Sequence, residues 1–224
     1  MVKLHILCLL KGRDYMSKFF DWKENIEKDE LKEVCKVINN NGVIVFPTET
    51  VYGVGGNALS SEVVKRIYEI KCRPRFKALN IMVKNKEEIQ KYAYINSSIE
   101  EKIIENFMPG PITIILKKKE NIIAKELTAE NDTIGIRIPN NYIIKTILEN
   151  CNVPIAAPSA NISGKPSVTN LNDIKEDFCE KVDVMIDGGE CKDKIASTIV
   201  QVVDGKIKIL REGKITIDEI NKIL

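Results

Sequence analysis

The chain has 224 residues, of which 44% are hydrophobic and 29% charged, an ordinary globular composition with room for one sizeable core. Its net charge of +2 excludes wholesale nucleic-acid binding and leaves only a local patch for such a partner. With His5 as the only histidine, in a segment read as an extension, a Ser-His-Asp triad, a histidine base and a His/Cys zinc site are excluded.

Residues 1–20 are read as an N-terminal extension and 21–224 as one catalytic domain. The apolar run Leu4–Leu10 is too short to span a bilayer, and Met16 is an alternative start. Apolar residues Ile26, Leu31, Val34, Val37 and Ile38 predict a helix over 22–40, stopped at Asn39-Asn40-Asn41-Gly42. Val43–Phe46 reads as a buried strand ended by Pro47. Ser60 or Ser61 caps a helix whose Val63, Val64, Ile67 and Ile70 face a core. Leu79–Val83 is a second buried strand, followed by amphipathic helices near 86–93 and 97–107. Pro109-Gly110-Pro111 breaks the chain before the β-branched strand Ile112–Leu116.

Thr133–Ile138 is the next strand, closed by Pro139. A helix over 141–150, a strand Val153–Ala156, a hydroxyl-rich loop, a helix near 170–179 and a strand Val182–Ile186 follow. Ser197–Val203 and Lys206–Leu210 form a hairpin around Asp204-Gly205, and a short helix from Ile217 follows. Strands and helices mix without strict alternation, which predicts an α/β protein with one twisted, mixed sheet flanked by helices. Cysteines 8, 35, 72, 151, 179 and 191 form no Cys-x-x-Cys pair and read as reduced thiols of a cytoplasmic protein.

Chemistry concentrates in three places. In Pro47–Lys77, Thr48, Glu49, Thr50 and Tyr52 lie where a strand gives way, and Gly53, Gly55 and Gly56 read as a loop whose backbone comes close to a ligand. Lys71, Arg73, Arg75 and Lys77 then alternate along a stretch read as extended, which is either a phosphate site or a solvated basic turn. The loop Pro158–Ser167 follows a buried strand, where α/β folds place ligands, although Ser and Asn also simply make turns. Arg137, in TIGIRIP, points either to solvent or inward toward an anion such as a carboxylate.

In this order, PTETVYG, a Lys-x-Arg followed by proline, TIGIRIP, SAN-ISG and STIV resemble the YrdC-like threonylcarbamoyl-AMP synthase family, over about residues 25–212. The resemblance implies a YrdC-like (DHBP synthase-like) fold in its single-domain form. It also implies a cytoplasmic nucleotidyltransferase that joins L-threonine, bicarbonate and ATP, with Mg²⁺ carried by the phosphates, into threonylcarbamoyl-AMP and pyrophosphate. A downstream transfer machinery then modifies tRNA adenosine. By the same resemblance Thr48, Tyr52, Asn80, Arg137, Ala157 and Ser197 contact threonine. Lys71, Arg73, Ser159 and Asn161 frame the phosphates as the catalytic set, and Arg75, Thr133, Ser167 and Arg211 add contacts to ATP. Family members often read Lys-Pro-Leu where this chain has Lys77-Ala78-Leu79, and a histidine that commonly follows is missing. The alternative is a non-catalytic module for tRNA or double-stranded RNA, tracking its backbone with Lys65, Arg66 and Lys71–Lys77.

Overall fold

The computed structural model describes residues 17–224, so the readings of the apolar run and of Met16 lie outside the described residues. The chain runs β1 (Lys18–Asp21), α1 (Lys28–Asn39), β2 (Val43–Phe46), β3 (Gly53–Asn57), α2 (Ser61–Ile70), β4 (Asn80–Met82), α3 (Lys86–Tyr92), β5 (Ala93–Tyr94) and α4 (Ser98–Phe107). It continues through β6 (Ile112–Lys118), β7 (Thr133–Arg137), α5 (Tyr142–Cys151), β8 (Ile155–Ala156), α6 (Lys175–Phe178), β9 (Val184–Asp187), β10 (Thr198–Val203), β11 (Lys206–Arg211) and α7 (Ile217–Asn221). β1 begins inside the stretch read as an extension and pairs in parallel with β9.

The strands form one mixed sheet in the order β1-β9-β2-β3-β8-β4-β7-β6-β10-β11, with β5 beside β6. Strand alternation sorts its two faces. On β2, Val43 and Val45 enter a core with α2, α3 and α4, while Ile44 and Phe46 enter a second core under α1 and α5. Helix starts follow local chemistry: Ser60, Asn85 and Asn141 each accept from backbone N–H groups of the first turn, and Ser97 with Glu100 forms a capping box. The hairpin turn sits where Asp204 and Gly205 adopt φ of 50° and 71°, the left-handed geometry that an Asp-Gly pair supplies. Among the described residues no helix is long and apolar enough to cross a membrane, and Cys35, Cys72, Cys151 and Cys191 are free thiols.

Three expectations are corrected. The helix expected from residue 22 starts only at Lys28, because Trp22 still extends the sheet edge, its N–H donating to Asp187 O at 2.7 Å, and its indole donates to Glu30. The helix expected over 170–179 is a short 3₁₀ turn at Leu171–Asp173 followed by α6. The glycines of GVGGN form the strand β3, not a loop. A Cβ on Gly55 would stand 1.9 Å from Ala156 O, and one on Gly56 would stand 2.4 Å from Gly42 O. Gly55 and Gly56 admit neighbouring backbone, while Gly53 packs on the Phe46 ring and borders the open cleft.

Candidate functional site

The face covered by α1 and α5 continues past β8 and β4 into an open cleft. Its floor is made by alternate residues of three strands: Thr133, Gly135 and Arg137 from β7, Thr113 and Ile115 from β6, and Ser197 and Ile199 at β10. The residues between them, Ile112, Ile114, Ile134 and Ile136, point the other way into the core. The isoleucines flanking Arg137 therefore place it inward, on the cleft face. Gly135 keeps the floor low: a Cβ there would lie 3.2 Å from Asn80 Cβ and from Ile115 Cδ1.

One wall joins the two segments singled out in the sequence. Val54 N–H donates to Pro158 O at 3.0 Å, Ala160 N–H to Tyr52 O at 2.7 Å, and Ser163 N–H to Lys71 O at 2.8 Å. Lys71 is not on an extended strand. It caps the end of α2 and is 1% exposed beneath the Ser159–Asn161 turn. Its ammonium donates to Ser159 O, to Asn161 O at 2.6 Å and to Asn161 Oδ1 at 3.4 Å. Ser159 Oγ also donates to Asn161 Oδ1, so one amide ties the turn together. Burial pushes the Lys71 pKa down to about 7, and the Arg73 guanidinium adds to the shift. Arg73 reaches the cleft by folding back, with Nε on Lys77 O and Nη2 on Ala78 O, each at 2.9 Å. This is a closed turn around Pro74, which corrects the extended reading.

The opposite wall centres on Arg137, which is 4% exposed. Its Nη2 lies 2.7 Å from Glu49 Oε1 and donates to Thr50 Oγ1 at 3.0 Å, while Nε donates to Gly110 O at 3.2 Å. The Thr48 hydroxyl donates to Val51 O at 2.6 Å and lies 2.9 Å from Thr50 Oγ1, closing the loop that carries Glu49. Ser197 and Thr113 hydroxyls pair at 3.0 Å, and Arg211 donates to Ser197 O at 2.7 Å and to Ser197 Oγ at 2.9 Å. The Arg211 cation is disfavoured by burial, then by Arg137 and Arg73. Positive charge is thus crowded at this cleft, which suits an anionic ligand. Tyr52 borders the cleft, but its side chain is buried in the core and its hydroxyl donates to Gly189 O at 2.7 Å, and burial holds its pKa above the ordinary value.

The cleft brings together Thr48, Tyr52, Arg73, Asn80, Thr133, Arg137, Ala157, Ser159, Ser197 and Arg211. Lys71 and Asn161 support it from behind the Ser159 turn. Arg75 is exposed and faces Glu69 at 3.7 Å, and Ser167 is exposed; neither lines the cleft. Asn80 O accepts from Ala157 N–H at 3.0 Å, which commits that carbonyl to the fold. The sequence reading missed Thr113 and Gly135, and named Thr50 and Glu49 without giving either a role. Strand alternation around Arg137 was a usable signal for Gly135. Lys65 and Arg66, part of the alternative RNA surface, are paired with Glu126 at 3.0 Å and Asp183 at 2.6 Å.

A family model described as Sua5_yciO_yrdC, telomere recombination, matches residues 36–213. A Methanocaldococcus jannaschii protein provisionally named threonylcarbamoyl-AMP synthase is 43% identical over 203 residues, 91% of this chain and 95% of its own length. The structure of Pyrococcus abyssi Sua5 complexed with L-threonine superimposes with a TM-score of 0.89 at 36% identity, over 93% of this chain. This chain spans 61% of that longer one. Escherichia coli YciO superimposes with a TM-score of 0.80 at 26% identity, covering 88% of this chain and 96% of its own.

Proposed function

The chain belongs to the Sua5/YciO/YrdC family, and from that premise we propose that it is an enzyme making threonylcarbamoyl-AMP and pyrophosphate from L-threonine, bicarbonate and ATP. The observation that carries the reading is the two-sided cleft. A buried guanidinium with hydroxyls stands on one wall, and a lysine-backed Ser/Asn turn with Arg73 stands on the other.

In this reading Arg137 and Ser197 take the threonine carboxylate, with Thr48, Tyr52, Asn80 and Ala157 around the rest of the amino acid. Ser159 and Arg73 take the phosphates, with Asn161 holding the Ser159 turn in shape, Lys71 placing positive charge beneath it, and Thr133 and Arg211 flanking the nucleotide. The substrates supply their own nucleophile. The threonine amine and bicarbonate give a carbamate with loss of water, and a carbamate oxygen bonds to the α-phosphorus as the bond to pyrophosphate breaks. What the protein supplies is orientation and charge stabilisation of the leaving pyrophosphate, neither of which needs a histidine.

Mg²⁺ enters with the ATP phosphates, whose charge it screens. The hydroxyls, amide and cations of the cleft suit phosphate oxygens and leave the ion to the nucleotide. The adenylate then serves a partner that transfers the threonylcarbamoyl group during tRNA processing. The pairing of Lys65 and Arg66 with acids speaks against the alternative RNA surface. Pyrophosphate release from ATP tests the reading: it should require both L-threonine and bicarbonate, and release indifferent to threonine would overturn it.

A further inference from the structure

Glu49 has no part in the reaction proposed above, yet it is buried against the residue that carries the amino-acid half of it. It is 7% exposed and Arg137 is 4% exposed. Its Oε1 stands 2.7 Å from Arg137 Nη2, while neither carboxylate oxygen makes a hydrogen bond of good geometry. Burying a carboxylate is unfavourable unless the charge has a use, and this pair gains little from hydrogen bonding. The loop that carries Glu49 is closed by other groups: the Thr48 hydroxyl on Val51 O, and the Asp193 N–H on the backbone carbonyl of Glu49 at 2.7 Å.

The remaining partners of Arg137 show what the carboxylate does. Gly110 O holds Nε, and Thr50 Oγ1 and Glu49 hold Nη2. One edge of the guanidinium is therefore anchored to protein, and Nη1 is left as the edge free for a ligand in a side chain that lines the cleft. A free fork would swing to bind a carboxylate through either edge, whereas an anchored one presents a fixed donor. We infer that Glu49 is a positioning residue for substrate recognition, fixing the Nη2 edge of Arg137 so that Nη1 meets the carboxylate of the amino-acid substrate. Glu49 does not line the cleft and acts through Arg137 alone. This inference rests on the function proposed above.

The test is steady-state kinetics of pyrophosphate release with Glu49→Gln, Arg137→Gln and the double variant. Glu49→Gln should raise the KM for threonine on the order of 10-fold, with kcat at saturating threonine and the KM for ATP changed by less than about threefold. The double variant should be no worse for threonine than Arg137→Gln alone, because the two residues act as one unit. An unchanged threonine KM in Glu49→Gln, equal losses for threonine and ATP, or multiplied losses in the double variant would overturn the inference. Should Glu49→Gln not fold, Glu49→Asp keeps the charge with a shorter reach and should show the same selective rise in threonine KM; an unchanged value there overturns the inference equally. Absence of threonine dependence in the unaltered chain would overturn the proposed reaction and this inference with it, and is distinguished by needing no variant.

Discussion

Two ends of one sheet face have opposite fates. Under α1 and α5 the face is sealed by Ile44, Phe46, Ile143, Ile147, Val184 and Ile186. Further along, β7, β6 and the start of β10 present Thr133, Gly135, Arg137, Thr113 and Ser197 on that side, and the cleft opens there. These open strands are as apolar as the covered ones on their reverse side, where Ile112, Ile114, Ile134 and Ile136 are buried. The pleat thus separates stability from ligand recognition by a single residue step along the same strand.

Gly135→Val should break this contrast most completely. Even its Cβ would crowd Asn80, Ile115 and Thr113 at 3.2–3.3 Å, and its methyls would fill the floor. Threonine-dependent pyrophosphate release should fall on the order of 10²-fold or more while circular dichroism keeps the native signature. Next comes Lys71→Met, which keeps the stem and removes the charge. The same assay should lose on the order of 10²- to 10³-fold. Urea unfolding above pH 10.5, where burial no longer costs the fold a proton, should show about 1–3 kcal/mol lost, because Ser159 O and Asn161 O lose their buried donor.

Ile136→Val, one step from Gly135 on the reverse face, should lower unfolding free energy by about 0.5–1.5 kcal/mol and leave the activity unchanged. A last effect is one of pH. Lys71 titrates near 7 when folded and at an ordinary 10.5 when unfolded, so between those values the unfolded chain holds the extra proton. Stability of the ligand-free protein should therefore rise as pH increases through this window and be fully penalised below it. Melting temperatures of the wild type and Lys71→Met measured from pH 7 to 10 check this, since the variant should lose that slope.

Local chemistry made much of this legible in the sequence. The capping residues, the β-branched strands and the Asp204-Gly205 turn each act over a few residues, and the motif residues fell largely on one cleft. The misreadings are those where the deciding partner is distant. The GVGGN glycines looked like a loop because the backbone that demands them, at Gly42 and Ala156, is not adjacent in the chain. Lys71 looked like part of an extended alternation because its acceptors come from residues 159 and 161. Thr113 and Thr50 carried no separate signal, since threonine in a strand or turn is explained by propensity alone. Glu49 was visible beside Thr48, but its pairing with Arg137 depends on the fold bringing the loop after β2 to the end of β7, a strand that does not neighbour β2 in the sheet.

The most direct measurement is a crystal structure of this chain grown with L-threonine. The amino acid should lie on the open part of the sheet face, its carboxylate at Arg137 Nη1 and Ser197 and its body over Gly135. Threonine bound outside this cleft, or a cleft left empty at saturating threonine, would contradict the account.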